Sequence, residues 1–158
     1  MSPTKVASQR VALGDITPNN IGQLRKLHNV LFPVKYDDKC YNNILEAGEL
    51  AKLVYYNDVC VGAVCSQKNG EKIEVLTLGV LKPYRGLGLG QTLLNHILDQ
   101  AKERGSTSID AYVQTSDDSA VAFYKHHGFE LISTEKDYFK QLDQKDAYVF
   151  SKSTASSQ

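Results

Sequence analysis

Apolar residues recur along this chain with two different periods. After a polar opening, residues 11–13 predict a short strand. Thr17 followed by Pro18 reads as a helix start, with Thr17 as the cap and Ile21, Leu24, Leu27 and Val30 along one face. Phe32-Pro33-Val34 ends that helix. A second short helix is predicted after Asp37 and Asp38, turning Tyr41, Ile44 and Leu45 inward. Residues 50–56, 59–67 and 72–80 are then rich in β-branched and aromatic side chains. Asn57-Asp58 and Lys68-Asn69-Gly70 separate them as hairpin turns, so the three runs predict an antiparallel meander.

From Gly88 the period lengthens. Leu89, Leu93, Ile97 and Ala101 form a helical stripe that Gly105 is placed to end. A strand over 108–114 leads into a helix over 116–127, stopped by Gly128, and strands over 129–135 and 147–151 follow. Residues 1–10 are expected to be flexible and the polar tail 153–158 disordered, leaving a single domain over 11–152. Strands paired first by hairpins and then joined by helical crossovers predict a mixed α/β sheet, not a doubly wound parallel one.

Composition narrows the function classes. A chain of 158 residues with 42% hydrophobic content is the size of one compact domain. Its 18 basic and 18 acidic side chains cancel, so no global field favours nucleic acid or an anionic membrane, and neither partner is expected. Cys40, Cys60 and Cys65 contain no CxxC pair, and His28, His96, His126 and His127 lack zinc-site spacing. Neither a disulfide nor a metal is expected, and all three thiols read as buried small hydrophobes. With no signal-type segment or membrane-length run, a cytosolic setting is expected.

An anionic ligand must then be held locally, and residues 85–90 offer the means. Arg85-Gly86-Leu87-Gly88-Leu89-Gly90 lies between an apolar strand and an amphipathic helix. There, glycines let the backbone approach a phosphate and the helix start supplies N–H groups and a positive dipole end. Arg85 adds a charged donor. A plain glycine-rich connection is one alternative. A dinucleotide site is another: Asp110 lies where a ribose-binding acid would be sought, but the third glycine is misplaced for GxGxxG and a meander precedes the turn. A nucleotide P-loop is excluded, because no Gly-Lys-Ser/Thr is present.

Residues 85–90 also resemble the Q/R-x-x-G-x-G/A pyrophosphate motif of the GNAT superfamily, and the order of elements around them is similar. Within it, Phe32-Pro33-Val34-Lys35-Tyr36, Gly48-Glu49-Leu50-Ala51-Lys52-Leu53, Tyr55-Tyr56-Asn57-Asp58, Thr77-Leu78-Gly79-Val80-Leu81, Pro83-Tyr84-Arg85 and Phe123-Tyr124-Lys125 resemble the NatE (San-type) catalytic subunits over residues 11–152. The resemblance implies a mostly antiparallel seven-stranded sheet with about four helices, its central parallel pair splayed to receive acetyl-CoA, with no metal.

It also implies roles. Leu78, Gly79 and Val80 would pair with the pantetheine arm, the Val80 N–H would polarise the thioester carbonyl, and Arg85, Gly86, Leu87, Gly88, Leu89 and Gly90 would hold the pyrophosphate. Asp117, Ser119 and Tyr124 match cofactor-lining positions, with Tyr124 placed to protonate the departing thiolate. Phe32, Pro33, Val34 and Tyr36 match the loop that receives the first side chain of an acceptor protein, commonly methionine followed by a hydrophobic residue. Leu76 shares that substrate side of its strand with Glu74 and Leu78 by two-residue periodicity. Tyr138 and Phe139 match an opposing hairpin that more often carries two tyrosines; if the hydroxyl lost at Phe139 holds the substrate backbone, binding weakens by about 1 kcal/mol.

The catalytic pair departs from the family. A tyrosine and a histidine usually order the water that takes the amine proton, but this chain has Glu74 and Tyr112. Two readings follow from the resemblance. One is an active N-terminal acetyltransferase, with Glu74 as base, Tyr112 as its partner, and lysine as a further acceptor. The other is a weak or inactive subunit. Partners implied are nascent-chain N-termini and the NatA auxiliary scaffold and catalytic subunits at the ribosome, in the cytoplasm and also the nucleus.

Overall fold

The computed structural model describes residues 10–32, 36–138 and 146–154. Pro33, Val34, Phe139, the leader 1–9 and the tail 155–158 lie outside the described residues. The strands are β1 (Val11–Asp15), β2 (Ala51–Tyr56), β3 (Val59–Asn69), β4 (Lys72–Val80), β5 (Ser108–Gln114), β6 (Glu130–Glu135) and β7 (Ala147–Ser153). The helices are α1 (Ile21–Leu31), α2 (Asp38–Glu46), α3 (Leu89–Glu103) and α4 (Asp118–His126), with short 3-10 turns at Gly48–Leu50 and Lys82–Tyr84. The seven strands are ordered β1-β2-β3-β4-β5-β7-β6. β4 and β5 run parallel, whereas β1–β2, β2–β3, β5–β7 and β6–β7 are antiparallel. This is the mixed sheet expected.

Contacts cluster in two compact units. The first holds the described residues of Met1–Ser66 and Thr77–Ile97, the second those of Gln67–Leu76 and Leu98–Gln158. In the first, Leu24, Leu27, Tyr41, Ile44, Leu53, Ala63 and Cys65 share a core. In the second, Ile73, Val75, Ile109, Ala111, Val113, Tyr124 and Phe150 are buried.

Several expected boundaries shift for identifiable reasons. Thr17 does not cap α1. Its N–H donates to Asn20 Oδ1 at 2.8 Å and its carbonyl accepts from the Asn20 N–H at 3.1 Å, closing a separate turn before the helix. Val30 is 73% exposed, and the inward face is instead Leu24, Leu27 and His28. Asp37 does cap α2, accepting from the Cys40 N–H at 2.9 Å. Asp117 caps α4 through the Ala120 N–H at 3.1 Å, so that helix starts at Asp118 instead of residue 116. Ser153 belongs to β7, and Thr154 is tied to the Thr107 and Ser106 carbonyls, so the tail is ordered further than expected. Of the cysteines only Cys65 is buried; Cys40 and Cys60 are half-buried.

Candidate active site

Along β4, Ile73, Val75 and Thr77 are buried while Glu74, Leu76 and Leu78 on the alternate face are only partly covered. Its parallel register with β5 joins Lys72↔Ser108 through Val75↔Ala111, whereas β4 itself continues to Val80. In the first unit, β3 lies close against this last stretch. A Cβ on Gly62 would sit 2.6 Å from the Gly79 carbonyl oxygen, a distance that only glycine allows. On Gly79, a Cβ would meet Leu31 Cδ1 and Phe32 Cζ, each at 3.0 Å. Leu31, at the end of α1, and Phe32 therefore rest against Gly79.

The glycine turn follows. Gly86 and Gly88 adopt φ of +83° and +80°, and the space a Cβ would occupy at either is open. Leu89 is buried and starts the 15-residue helix α3, whose first N–H groups have no intrahelical acceptor. Arg85 Nε donates to the Val80 carbonyl at 2.9 Å, which ties the turn to the strand end. Open backbone, helix start and exposed arginine fit a pyrophosphate. The acid that a dinucleotide would require is engaged elsewhere: Asp110 is 4% exposed, 2.6 Å from Ser151 Oγ and 3.4 Å from Lys72 Nζ.

In the second unit, Glu74 is not a free surface glutamate. Gln67 Nε2 donates to its Oε1 and Asn69 Nδ2 to its Oε2, both at 3.0 Å. The Tyr112 hydroxyl lies 3.4 Å from Oε2. Tyr112 also stacks on Tyr138, with ring centroids 4.7 Å apart. Burial, then the Glu74 charge, pushes the Tyr112 phenol up to about 12, so it stays a donor to the carboxylate. Tyr124 is 5% exposed among Phe123, Phe129 and Phe150, and burial raises its pKa too. Asp117 is engaged as the α4 cap, and Ser119 is exposed on that helix's first turn.

Three participants escaped sequence reasoning. Gln67 and Asn69 face Glu74 across the β3–β4 hairpin, and the hairpin register was the signal that could have found them. The third is His28, 2% exposed, whose ring centroid lies 5.6 and 5.1 Å from those of Phe32 and Tyr36. Its spacing from Leu24 and Leu31 was the signal that could have marked it as inward-facing. Among the described residues no group of His, Cys, Asp or Glu converges as metal ligands, and no helix is long and apolar enough to cross a membrane.

The model of the acetyltransferase (GNAT) family matches residues 21–129. The chain belongs to this family. N-alpha-acetyltransferase 50 of Danio rerio is 48% identical over 152 residues, covering 93% of this GNAT chain and 90% of that protein. The "Probable N-acetyltransferase san" of Drosophila melanogaster is 48% identical over 147 residues, covering 90% and 80%. Arabidopsis thaliana Naa50, solved with the bisubstrate analogue CoA-Ac-MVNAL, superposes with a TM-score of 0.85 at 44% identity over 90% of this chain and 97% of that one. The resemblance to NatE catalytic subunits therefore holds. This GNAT chain is an acyltransferase with acetyl-CoA as donor, and its relatives support activity on protein N-termini.

Proposed function

We propose that this enzyme moves acetyl from acetyl-CoA to the α-amino group of proteins beginning with methionine and a hydrophobic residue, with lysine side chains as a further acceptor. The Glu74–Tyr112 pair carries this reading: a carboxylate held by a phenol at the strand positions where the family keeps its proton-handling pair. An α-amino group titrates near ~8, so part of it must lose a proton before attack. Glu74 takes that proton through one water, while Gln67, Asn69 and Tyr112 aim the carboxylate. The amine attacks the thioester carbon directly: the C–N bond forms, the C–S bond breaks, and no side chain is acylated. Burial pushes the Cys65 thiol up to about 12 and raises those of Cys40 and Cys60, which suits none of them to a nucleophile's role.

Leu78 and Gly79 hold the pantetheine arm by main-chain hydrogen bonds along β4 beyond Val75, and the Val80 N–H polarises the carbonyl. The turn at residues 85–90 holds the pyrophosphate. Tyr124, kept protonated by burial, donates to the departing sulfur. Since its pKa moves away from that of a thiol, its contribution is a hydrogen bond, and the net proton comes from solvent.

One observation favours a second reading. A carboxylate has about four lone-pair sites, and Glu74 already accepts from Gln67, Asn69 and Tyr112. A base so engaged could leave a weak enzyme whose role is docking on NatA at the ribosome in the cytoplasm. Initial rates with Met-Leu, Met-Ala, Ser-Glu and lysine-containing peptides decide between them. Met-Leu is expected to be fastest; no N-terminal acetylation of any peptide would leave the second reading, which predicts capture of the NatA auxiliary subunit. Acetyl-CoA at a hundred times its Kd should add about 2.7 kcal/mol, several degrees of Tm, and Arg85→Ala should reduce that shift. No shift at millimolar acetyl-CoA would sink the first reading.

A further inference from the structure

His28 belongs to no part of the chemistry just described, yet within the first unit it joins α1 and α2 to two strands. Its Nδ1 lies 3.0 Å from the Tyr41 hydroxyl on α2, and its Nε2 lies 3.1 Å from Thr77 Oγ1 on β4 and 3.9 Å from Cys65 Sγ on β3. The ring packs on Phe32, Tyr36 and Tyr41 with centroid separations of 5.6, 5.1 and 5.6 Å. One tautomer satisfies both nitrogens. Nδ1 accepts from Tyr41 and Nε2–H donates to Thr77, with the Cys65 sulfur beside the same nitrogen. Tyr41 is itself held from outside, with the Arg25 guanidinium 4.1 Å over its ring and bonded to Asp38 at 3.0 Å.

A core that needed only volume here would use leucine, because burying an imidazole is favourable only when both nitrogens are paired. This one is paired toward β4 on one side, and its face carries the two aromatic rings of the acceptor loop. Phe32 in turn touches Gly79 directly. We propose that His28 is a positioning residue for the acceptor peptide, holding Phe32 and Tyr36 in register with the acyl-binding segment Thr77-Leu78-Gly79. This rests on the reading of that loop as the wall that receives the first side chain.

Steady-state kinetics on the full chain, with acetyl-CoA and a Met-Leu peptide each varied, test it. His28→Leu should raise the peptide KM about ten-fold, with the acetyl-CoA KM and kcat changed less than two-fold or so. His28→Asn, which keeps a donor and an acceptor, should restore part of the loss. Tyr41→Phe removes one neutral hydrogen bond at almost constant volume and should raise the peptide KM about three- to ten-fold; it carries the test should His28→Leu fail to fold. If both KM values and kcat move together, or none moves, His28 is ordinary core and the proposal is overturned. Phe32→Ala separates the two levels. An unchanged peptide KM there refutes the acceptor-loop reading and the proposal with it; a raised one beside silent His28 and Tyr41 variants refutes the positioning role alone.

Discussion

His28 and Glu74 are each held by side chains from neighbouring elements, yet one is sealed and the other left half open. His28 is 2% exposed, with the Tyr41 hydroxyl at Nδ1 and Thr77 Oγ1, then Cys65 Sγ at 3.9 Å, at Nε2, and aromatic rings packed around it. Desolvation lowers its pKa to about 4, so it is neutral across the physiological range. Glu74 is only partly buried and gathers two amides and a phenol. The contrast follows from charge. A neutral ring with two polar atoms is satisfied by two partners and can be dry, whereas a carboxylate needs several donors and access to water. The dry cluster suits the holding of shape, and the half-open one fits the proton transfer proposed for Glu74.

The largest expected effect tests the half-open cluster. Glu74→Gln keeps shape and polarity but removes basicity, so kcat should fall by about 10²–10⁴-fold with acetyl-CoA binding unchanged, whereas His28→Leu should spare kcat. Full turnover in Glu74→Gln, read by a thiol-release assay, would move the base elsewhere.

Next comes the pH response of the dry cluster. The folded pKa of His28 lies below its unfolded value of about 6.5. The unfolded chain therefore binds the extra proton first, and stability present above pH ~6.5 is lost as the pH falls toward ~4. The loss should approach about 3 kcal/mol. Urea unfolding of wild type and His28→Asn between pH 7 and 4 should show the two curves converging on acidification; parallel curves would mean that His28 stays solvated.

Smaller effects should come from the residues that aim Glu74. Gln67→Leu and Asn69→Leu each remove one amide donor and should lower kcat about three- to ten-fold without moving the acetyl-CoA KM. Tyr112→Phe should cost least, about two- to five-fold. With the phenol pushed up to about 12, wild type and Tyr112→Phe should share one rate profile between pH 8 and 10; a fall in wild type alone would show Tyr112 ionising.

What could be read from the sequence was whatever repeats locally. Strand alternation set β4 and β5 at their observed bounds, the Leu89, Leu93, Ile97 and Ala101 stripe set the inward face of α3, and Gly105 and Gly128 take the positive φ expected after helices. The glycine turn was legible for the same reason, since all its parts lie within residues 85–90. One error arose from a competing local bond: Thr17 and Asn20 bond to each other in a turn, so neither side chain caps the helix after it.

The partners of the polar groups were a tertiary decision. Tyr112 and Glu74 lie 38 residues apart, as do Lys72 and Asp110, and His28 reaches Tyr41 and Thr77 across 13 and 49 residues. Periodicity placed Glu74 on one face of its strand and left His28 unassigned, and it could not say which atoms face either of them. Side-chain hydrogen bonds act over about 3 Å, so whether a buried nitrogen or carboxylate is satisfied is settled only when the sheet register and helix packing bring those distant residues together.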